Sequence, residues 1–304
     1  MLSIDDGYQA LRAGTGLVQL DRDVVAVSGP DAATFLQGQL SQDVAGLAVE
    51  SAAHSYLLEP TGKVGAWLVV ARLAEDSFLL DVDPGFGDAV AARLQRFKLR
   101  TKADIEPTDA WTVWIQPPGA EPRSFVIPKP AGELVVATVN GVSRYLTTAS
   151  TFAIEALETV GVESYEPWRI EHGIPQMGAE LVTGETIPAE AGQWVIDASV
   201  SFTKGCFTGQ ELVARIDSRG GNVPRQIRGV VIEGERTAAP PVGATVVVDG
   251  KDVGTITSVA WSPGFGAHVA LASIARAVTP PSAATVVVDG TDRAAHLHPL
   301  PLTP

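Results

Sequence analysis

The connections between the apolar stretches of residues 54–82 are very short, and this constrains the fold more than any other feature of the sequence. The segment "HSYLLEPTGKVGAWLVVARLAEDSFLLDV" contains three β-like runs separated only by "EPTGK" and "AED". Proline and glycine in the first connection are typical of a tight turn. Because parallel strands need a long crossover, connections of this length predict an antiparallel sheet.

Helical patterns lie on both sides of these strands. "VVAV" (24–27) predicts a strand, after which Ser28 is expected to cap a helix with Pro30 in its first turn. "TFAIEALETVG" (151–161) predicts a helix that ends on its glycine.

A further helix is predicted from 88 to 98. Val90, Leu94 and Phe97 recur at helical spacing and should share one face. Antiparallel strands interrupted by such helices predict an α+β fold.

The pattern changes from about residue 226. Short strand-like runs with glycine and proline breaks follow, and "ATVVVDG" appears at 244–250 and again at 284–290. Each copy ends in Asp-Gly, a strong hairpin signal. We therefore expect a small β-barrel domain at 226–304 and a larger region at 1–225, with an approximate internal break near 150.

The charge balance disfavours two classes of partner. The chain has 22 basic and 35 acidic residues, a net charge of −13, and no block of lysine and arginine stands out. Binding to nucleic acid or to a membrane surface is therefore not expected. The longest apolar stretch, "VGAWLVVA" (64–71), is much shorter than a membrane span.

The single cysteine limits redox and metal chemistry. One thiol cannot form an internal disulfide, and it cannot by itself hold an iron–sulfur cluster or a four-cysteine zinc site. His296 and His298 flank one leucine and are expected on an exposed strand rather than at a metal. Together with an acidic start, "MLSIDDGYQA", these features predict a cytoplasmic protein without a metal site.

That cysteine lies in the stretch "KGCFTGQE" (204–211). Thr208 and Glu211 have the spacing of a capping box, so a helix is predicted to begin just after Cys206. The positive end of that helix and the nearby Lys204 both favour thiolate over thiol. Cys206 and Lys204 are therefore candidate catalytic residues.

Two alternatives for this loop remain open. Gly205 and Gly209 could allow a close ligand approach, or they could simply make ordinary tight turns around a packing cysteine. Covalent catalysis by Cys206 would need a base, for which His172 is the nearest histidine in sequence.

A second group of candidate residues lies in "WRIEHG" (168–173), which predicts a short helix ending at a glycine. Trp168 and Glu171 are three residues apart and share a face. A carboxylate beside an aromatic ring suits a flat heterocycle with paired N–H groups. The alternative is a solvated Glu171 beside a core Trp168.

These stretches, "WRIEHGIPQMGAEL", "TIPAEAG" and "SFTKGCFTGQELVARIDSRG", resemble the YgfZ-type folate-binding family. Its members are associated with iron–sulfur protein maturation and are relatives of the T-protein (aminomethyltransferase) of the glycine cleavage system. "VSGPDAATFLQGQLSQDV" and "EPTGKVGAWLVV" resemble the same family, so the resemblance covers nearly the entire chain. The family's K-G-C-aromatic-x-G-Q-E signature is matched by Lys204, Gly205, Cys206, Phe207, Thr208, Gly209, Gln210 and Glu211.

The resemblance implies a T-protein-like fold: interleaved antiparallel α+β domains around a central folate channel, plus a C-terminal β-barrel. Arg169, Glu171 and Gly173 match the R-x-E-x-G stretch whose glutamate binds the pterin in this family. Glu171, Trp168 and Arg169 are therefore the expected cofactor-binding residues, and Cys206 is expected to face the same channel.

One departure from the T-protein pattern affects the expected activity. The catalytic aspartate of the T-protein follows a strand turn that corresponds here to "GKVGAW" (62–67). Ala66 and Trp67 occupy the two aspartate positions, so no carboxylate is available there. Aminomethyl transfer of the T-protein kind is therefore not expected.

Three functions remain. The first is a tetrahydrofolate-binding protein that supports assembly or repair of iron–sulfur enzymes, with tetrahydrofolate or a one-carbon derivative as cofactor and assembly factors or client enzymes as partners. The second is a folate-dependent one-carbon transferase that uses Cys206. The third is a scaffold in which folate only stabilises the fold. The missing aspartate disfavours the second, and the Lys-Gly-Cys turn favours the first over the third.

Overall fold

The computed structural model describes residues 2–119, 127 and 132–303. In this part of the chain the strands form two five-stranded sheets and a closed six-stranded barrel. The strands are β1 (Gly16–Leu20), β2 (Asp23–Ser28), β3 (Ser51–Leu58), β4 (Val64–Ala74), β5 (Ser77–Val82), β6 (Asp104–Thr108), β7 (Thr112–Gln116), β8 (Leu134–Val139), β9 (Val142–Thr147), β10 (Glu158–Val160), β11 (Arg225–Ile232), β12 (Thr245–Val248), β13 (Lys251–Ser262), β14 (Ala267–Ala275), β15 (Ser282–Val288) and β16 (Thr291–His298).

The first two sheets are interleaved along the chain. The first has the order β10-β1-β7-β9-β8, and the second has the order β3-β4-β5-β2-β6. The chain therefore starts in the first sheet, builds the whole second sheet, and returns to complete the first. The hairpins that join β3, β4 and β5 confirm the antiparallel sheet predicted from the short connections.

Six α-helices of the described chain pack on these sheets. The first, α1, packs against α4, whereas α5 packs against β3. A short 3-10 helix at Pro188–Ala191 precedes α5. The helices are α1 (Ile4–Arg12), α2 (Ala32–Gln39), α3 (Gly87–Lys98), α4 (Val162–Glu171), α5 (Gln193–Ser199) and α6 (Gln210–Asp217).

The C-terminal part is the predicted β-barrel, with the closed order β11-β14-β13-β12-β15-β16. The two copies of "ATVVVDG" lie in β12 and β15, which pair with each other. Asp249 and Asp289 both have positive φ and are each followed by a positive-φ glycine, as a two-residue hairpin turn requires. The repeat is therefore two neighbouring strands with the same turn chemistry.

Two predicted helix signals are wrong. Ser28 ends β2, and α2 begins only at Ala32. Asp31, before that helix, accepts from the distant backbone N–H of Lys102 instead of capping its own helix. The segment 151–161 is irregular and then forms β10, because pairing with β1 overrides its helical spacing.

Helix α3 confirms the prediction for 88–98, and the three residues predicted to share a face differ in burial. Val90 and Leu94 are buried, whereas Phe97 is 37% exposed. The guanidinium of Arg93 lies 3.7 Å from the centre of the Phe97 ring. A cation–π contact at the surface therefore stabilises the Phe97 ring.

The start of α6 depends on a close approach of two glycines. The predicted Thr208 cap is wrong, because the residue before the helix is Gly209, at φ 79°. A Cβ at Gly209 would lie 2.6 Å from the Glu59 carbonyl oxygen and 3.1 Å from the Cα of Gly62. Gly62 itself has φ 82° in the turn between β3 and β4. Only glycine fits both positions without a backbone shift.

We predict that Gly209→Ala lowers the free energy of unfolding by about 2–4 kcal/mol, since it adds left-handed strain and a clash with backbone. Urea denaturation would measure this loss. Gly205→Ala is the matched control in the same loop, because no atom lies within 4 Å of its added Cβ. Equal stability of the two variants would contradict the close approach.

Candidate functional site

Two adjoining cavities lie where the first two sheets face α4. Their volumes are about 240 Å³ and about 190 Å³. They share four lining residues: His54, Arg144, Tyr165 and Ile174. Because β3 supplies His54 and β9 supplies Arg144, the cavities exist only where the interleaved sheets meet. We name them together the central cavity.

Aromatic rings form the walls of the central cavity. His54 stacks on Trp67 with ring centres 4.4 Å apart, and Trp194 meets Trp67 edge to face at 6.4 Å. On α4, Trp168 stacks on His172 at 4.0 Å. Walls of this kind suit a flat aromatic ligand, which gains both apolar burial and stacking.

Two polar atoms of this cavity have no hydrogen-bond partner within the described residues. They are Nδ1 of His54 and Nε1 of Trp194, and both are buried. Burial, and then the charge of Arg144, lower the pKa of His54 to about 3. The imidazole is therefore neutral at physiological pH, with one nitrogen as donor and the other as acceptor. The cavity thus offers unused hydrogen bonds to a neutral ligand.

A buried ion cluster borders the same cavity. Asp81, fully buried on β5, accepts from the guanidinium groups of Arg22 and Arg144, and Arg22 also pairs with Asp83. Burial alone would raise the pKa of Asp81, but Arg144 and Arg22 lower it below its ordinary value. The cluster therefore stays ionised and places Arg144 at the cavity.

Glu171 lies at a junction rather than in the central cavity. The Tyr8 hydroxyl donates to both of its carboxylate oxygens, at 2.9 and 3.0 Å, and the Ser262 hydroxyl donates to one of them. Glu171 is only 3% exposed, so the alternative of a solvated surface residue is wrong. Its carboxylate joins α1, α4 and β13, and its role as the pterin ligand stays a prediction.

The other two expected cofactor residues do line the central cavity. Trp168 faces the smaller part, whereas Arg169 borders the larger part. Arg169 is fully buried and pairs with Glu166 and Glu180. It also donates to the Ile174 carbonyl oxygen at 2.6 Å. Its charge is balanced internally, so it shapes the wall.

Lys204 fixes the signature loop to α2. Its ammonium donates to three carbonyl oxygens, those of Gln37, Leu40 and Gln42, at 2.6, 2.7 and 2.8 Å. Burial lowers the pKa of Lys204 to about 8, although Asp43 raises it in part. All three N–H groups are used, so none is left for the thiol of Cys206. An electrostatic effect of Lys204 on that thiol stays a prediction.

Cys206 is exposed to solvent. It is not among the residues that line the central cavity, and its orientation toward a folate channel stays a prediction. Three residues separate it from the first residue of α6. His172, the proposed base, lines the cavity and donates from Nδ1 to the Trp168 carbonyl oxygen at 2.7 Å. The described contacts therefore give the Cys–His dyad no support.

The rest of the signature shapes its own loop. The Phe207 N–H donates to Oε1 of Gln210 at 3.1 Å, and the Phe207 ring lies 5.1 Å from Nζ of Lys204. Gly205 and Glu211 are exposed. These contacts hold the loop in one shape and present Cys206 at its surface.

Ala66 and Trp67 stand in β4, where the T-protein pattern has its acids. Ala66 is buried, and the Trp67 indole N–H donates to Oγ of Ser199 at 2.9 Å. Trp67 therefore contributes a wall to the cavity and no charge. Within residues 2–119, 127 and 132–303, no group of three or more His, Cys, Asp or Glu side chains is arranged to hold a metal ion.

Several residues of the site were not predicted from the sequence. Asp81 and Arg144 are each the only charged residue of their strands, "SFLLDV" and "VSRYLT", and such an isolated charge is a usable signal of a buried ion pair. His54 and Trp194 carry no local signal, because only the tertiary fold brings their side chains to one cavity.

The fold and the sequence both have known relatives. The model of the glycine cleavage T-protein C-terminal barrel domain matches residues 225–303. The crystal structure of the glycine cleavage system aminomethyltransferase T from Bartonella henselae superposes with a TM-score of 0.78 at 20% identity, covering 99% of this chain and 90% of that one. The chain is thus an α+β protein of the aminomethyltransferase T fold.

Sequence relatives define the family more closely. The mitochondrial iron–sulfur cluster assembly factor IBA57 of Mus musculus is 31% identical over 259 residues, covering 77% of this chain and 71% of its own length. The chain therefore belongs to the IBA57 family, the YgfZ-like relatives of the T-protein. An IBA57 homologue of Chaetomium globosum is 29% identical over 240 residues, which cover 67% of this chain and 54% of the fungal one. The chain thus spans about half the length of that relative.

No helix of the described residues is long and apolar enough to cross a membrane.

We predict a specific acid sensitivity from His54. Its folded pKa of about 3 lies below the unfolded value, so the unfolded state binds more protons as pH falls through about 6.5. Stability is fully present above that pH and falls below it, by about 2 kcal/mol between about pH 7.5 and about pH 5. His54→Phe keeps the stacking on Trp67 and should lose about 2 kcal/mol less over this range in urea unfolding. Parallel pH profiles would contradict the assignment.

Proposed function

We propose that this protein binds a reduced folate in the central cavity and supports the assembly or repair of iron–sulfur enzymes. The observation that carries the folate part is the combination of aromatic walls with two buried, unpartnered polar atoms, on His54 and Trp194. Tetrahydrofolate or a one-carbon derivative is the proposed cofactor. The iron–sulfur part is supported by the named activity of the IBA57 relatives.

The chemistry of a pterin suits these residues. A pterin is a flat, neutral heterocycle whose edge carries both N–H donors and ring acceptors. A neutral imidazole and an indole N–H can pair with such an edge, while Trp67 in the larger part and Trp168 in the smaller part supply apolar wall area. Glu171 stays in the proposal as a further pterin contact, which requires its carboxylate to exchange Tyr8 for ligand.

Binding of tetrahydrofolate by anaerobic calorimetry tests the cavity. Trp194→Phe keeps an aromatic wall but removes the N–H, and we expect about 10-fold weaker binding, or about 1.4 kcal/mol. Trp261→Phe, on the barrel, is the matched control and should bind as the wild type does. Glu171→Gln shows in the same assay whether that residue contributes. A folded wild type that binds no reduced folate would refute the proposed ligand.

The position of Cys206 supports a second role on the surface. An exposed thiol on a loop held by Lys204 is accessible to another protein, whereas it lies outside the cavity. One thiolate cannot hold a cluster alone, so any cluster contact is shared with an assembly factor or client enzyme. A one-carbon transferase that uses Cys206 is not favoured, because the thiol is outside the proposed folate site.

Complementation tests this second role. In a bacterial strain that lacks its own relative, Cys206→Ser should fail to restore the activity of an iron–sulfur enzyme, while tetrahydrofolate binding by the purified variant is unchanged. Thr203→Ser, in the same exposed segment, is the control. Full restoration by Cys206→Ser would remove the thiol from the proposal.

We also propose a division of the chain into two regions and a cellular compartment for the protein. Residues 1–225 form the folate-binding region, with an approximate break near 150, and 226–304 form the barrel. The closed barrel order and the extent of the matched barrel domain support that boundary. A cytoplasmic location is proposed because a free, exposed thiol is stable in a reducing compartment.

A further inference from the structure

The basic residues of this acidic chain include a cluster in the second half of α3 and just after it. Five of its 22 lysines and arginines fall in residues 93–102, although the net charge is −13. One or two other residues separate successive cations, so no continuous basic block is visible in the sequence. We name this surface the cationic patch; its members are Arg93, Arg96, Phe97, Lys98, Leu99, Arg100 and Lys102.

Most of the charge in the cationic patch is unpaired. Arg96, Arg100 and Lys102 are exposed and form no ion pair within the described part of the chain. Lys98 lies 3.9 Å from Asp104, and Arg93 covers the Phe97 ring. Three cations are therefore free to meet acidic groups of another molecule.

Leu99, in the cationic patch, has a backbone conformation that is unusual for leucine. It follows α3 with φ 43° and ψ −108°, in a region that favours glycine, and its side chain is 90% exposed. Leucine there strains the backbone and buries almost nothing in the folded chain. Backbone strain that is not offset by a contact within the chain points to a contact with another molecule.

The patch lies close to the signature loop. At one end of α2, Asp31 accepts from the Lys102 N–H, and at the other end the carbonyl oxygens of Gln37 and Leu40 hold Lys204. An eight-residue helix is about 12 Å long. One partner can therefore cover both the patch and the exposed Cys206.

We propose that the cationic patch docks the acidic face of a partner protein, with Leu99 and Phe97 inserted into an apolar recess of that partner. Central apolar side chains within a charged rim are the usual anatomy of a protein interface. The identification of the partner as an iron–sulfur protein rests on the proposed function. The docking surface itself rests on the charge, exposure and strain described above.

A polyanion fits this surface poorly. The patch has three free cations, whereas a protein that binds duplex DNA makes roughly six to ten phosphate contacts. Asp104 and Glu106, both exposed on the adjoining strand β6, and the overall charge of −13 repel DNA and anionic membranes. A partner with a small acidic area avoids this repulsion.

Complementation with surface variants tests the docking site. Arg96→Glu/Arg100→Glu should lower the restored iron–sulfur enzyme activity at least 5-fold, with tetrahydrofolate binding unchanged. Lys251→Glu/Arg276→Glu, on the barrel, changes the net charge equally and should be neutral. Leu99→Gly should raise Tm by about 2 °C, because it relieves strain, and yet lower the restored activity. Full activity of the patch variants would overturn the proposal.

Crosslinking in cells provides a test that does not depend on complementation. A photo-crosslinking amino acid in place of Leu99 should link to an acidic peptide of one protein, and Arg96→Glu/Arg100→Glu should abolish the link. Absence of a protein link, or a link that survives the charge reversal, would overturn the docking site even if the proposed function holds. Duplex DNA and phosphatidylserine vesicles are the alternative ligands to test with the purified wild type. If the wild type binds either of them and the same charge reversal abolishes that binding, the docking site is also overturned. A wild type that crosslinks but restores no enzyme would refute only the proposed function.

Discussion

One buried carboxylate joins the two interleaved sheets. Asp81 belongs to the second sheet, Arg144 to the first, and Arg22 to the connection between β1 and β2 where the chain passes from one sheet to the other. A charge in this position is tolerated only when several hydrogen bonds replace the lost water, and the two guanidinium groups supply them. This cluster and an apolar contact between the same sheets, which includes Leu79 and Leu146, together set the relative position of the sheets around the central cavity.

The same cluster decides the chemistry of the cavity. Burial is the largest cause of the low pKa of His54, and the charge of Arg144 is the second. A neutral imidazole between aromatic walls can both donate to and accept from the edge of a flat, neutral ligand. The structural ion pair and the binding surface are therefore parts of one arrangement, in which charge is used for assembly and neutral groups are left for the ligand.

How far the sequence predicts this protein depends on whether the signal is local. The antiparallel strands of 54–82, the limits of α3 and the Asp-Gly hairpins follow from short connections, periodicity and turn chemistry, and all three are confirmed. The caps at Ser28 and Thr208 are wrong because distant backbone, at Lys102 and Glu59, decides where those helices begin. Likewise the signature motif locates Cys206 but cannot show that the thiol is exposed. No local pattern shows that His54 and Trp194 line the same cavity.

The residue at position 67 bears on whether a protein of this fold only binds a ligand or also acts on it. The T-protein pattern places an acid near this point, where it could act on a folate nitrogen, whereas here the indole donates to Ser199 and stacks on His54. The ring adds apolar contact area for a ligand and has no proton to transfer at neutral pH. Because Cys206, the single cysteine, is exposed and does not line the central cavity, the thiol and the proposed ligand site lie at different places. Such a separation suits the proposed binding of a ligand and of a protein partner at different places, whereas a transferase that used Cys206 would need the thiol beside its ligand.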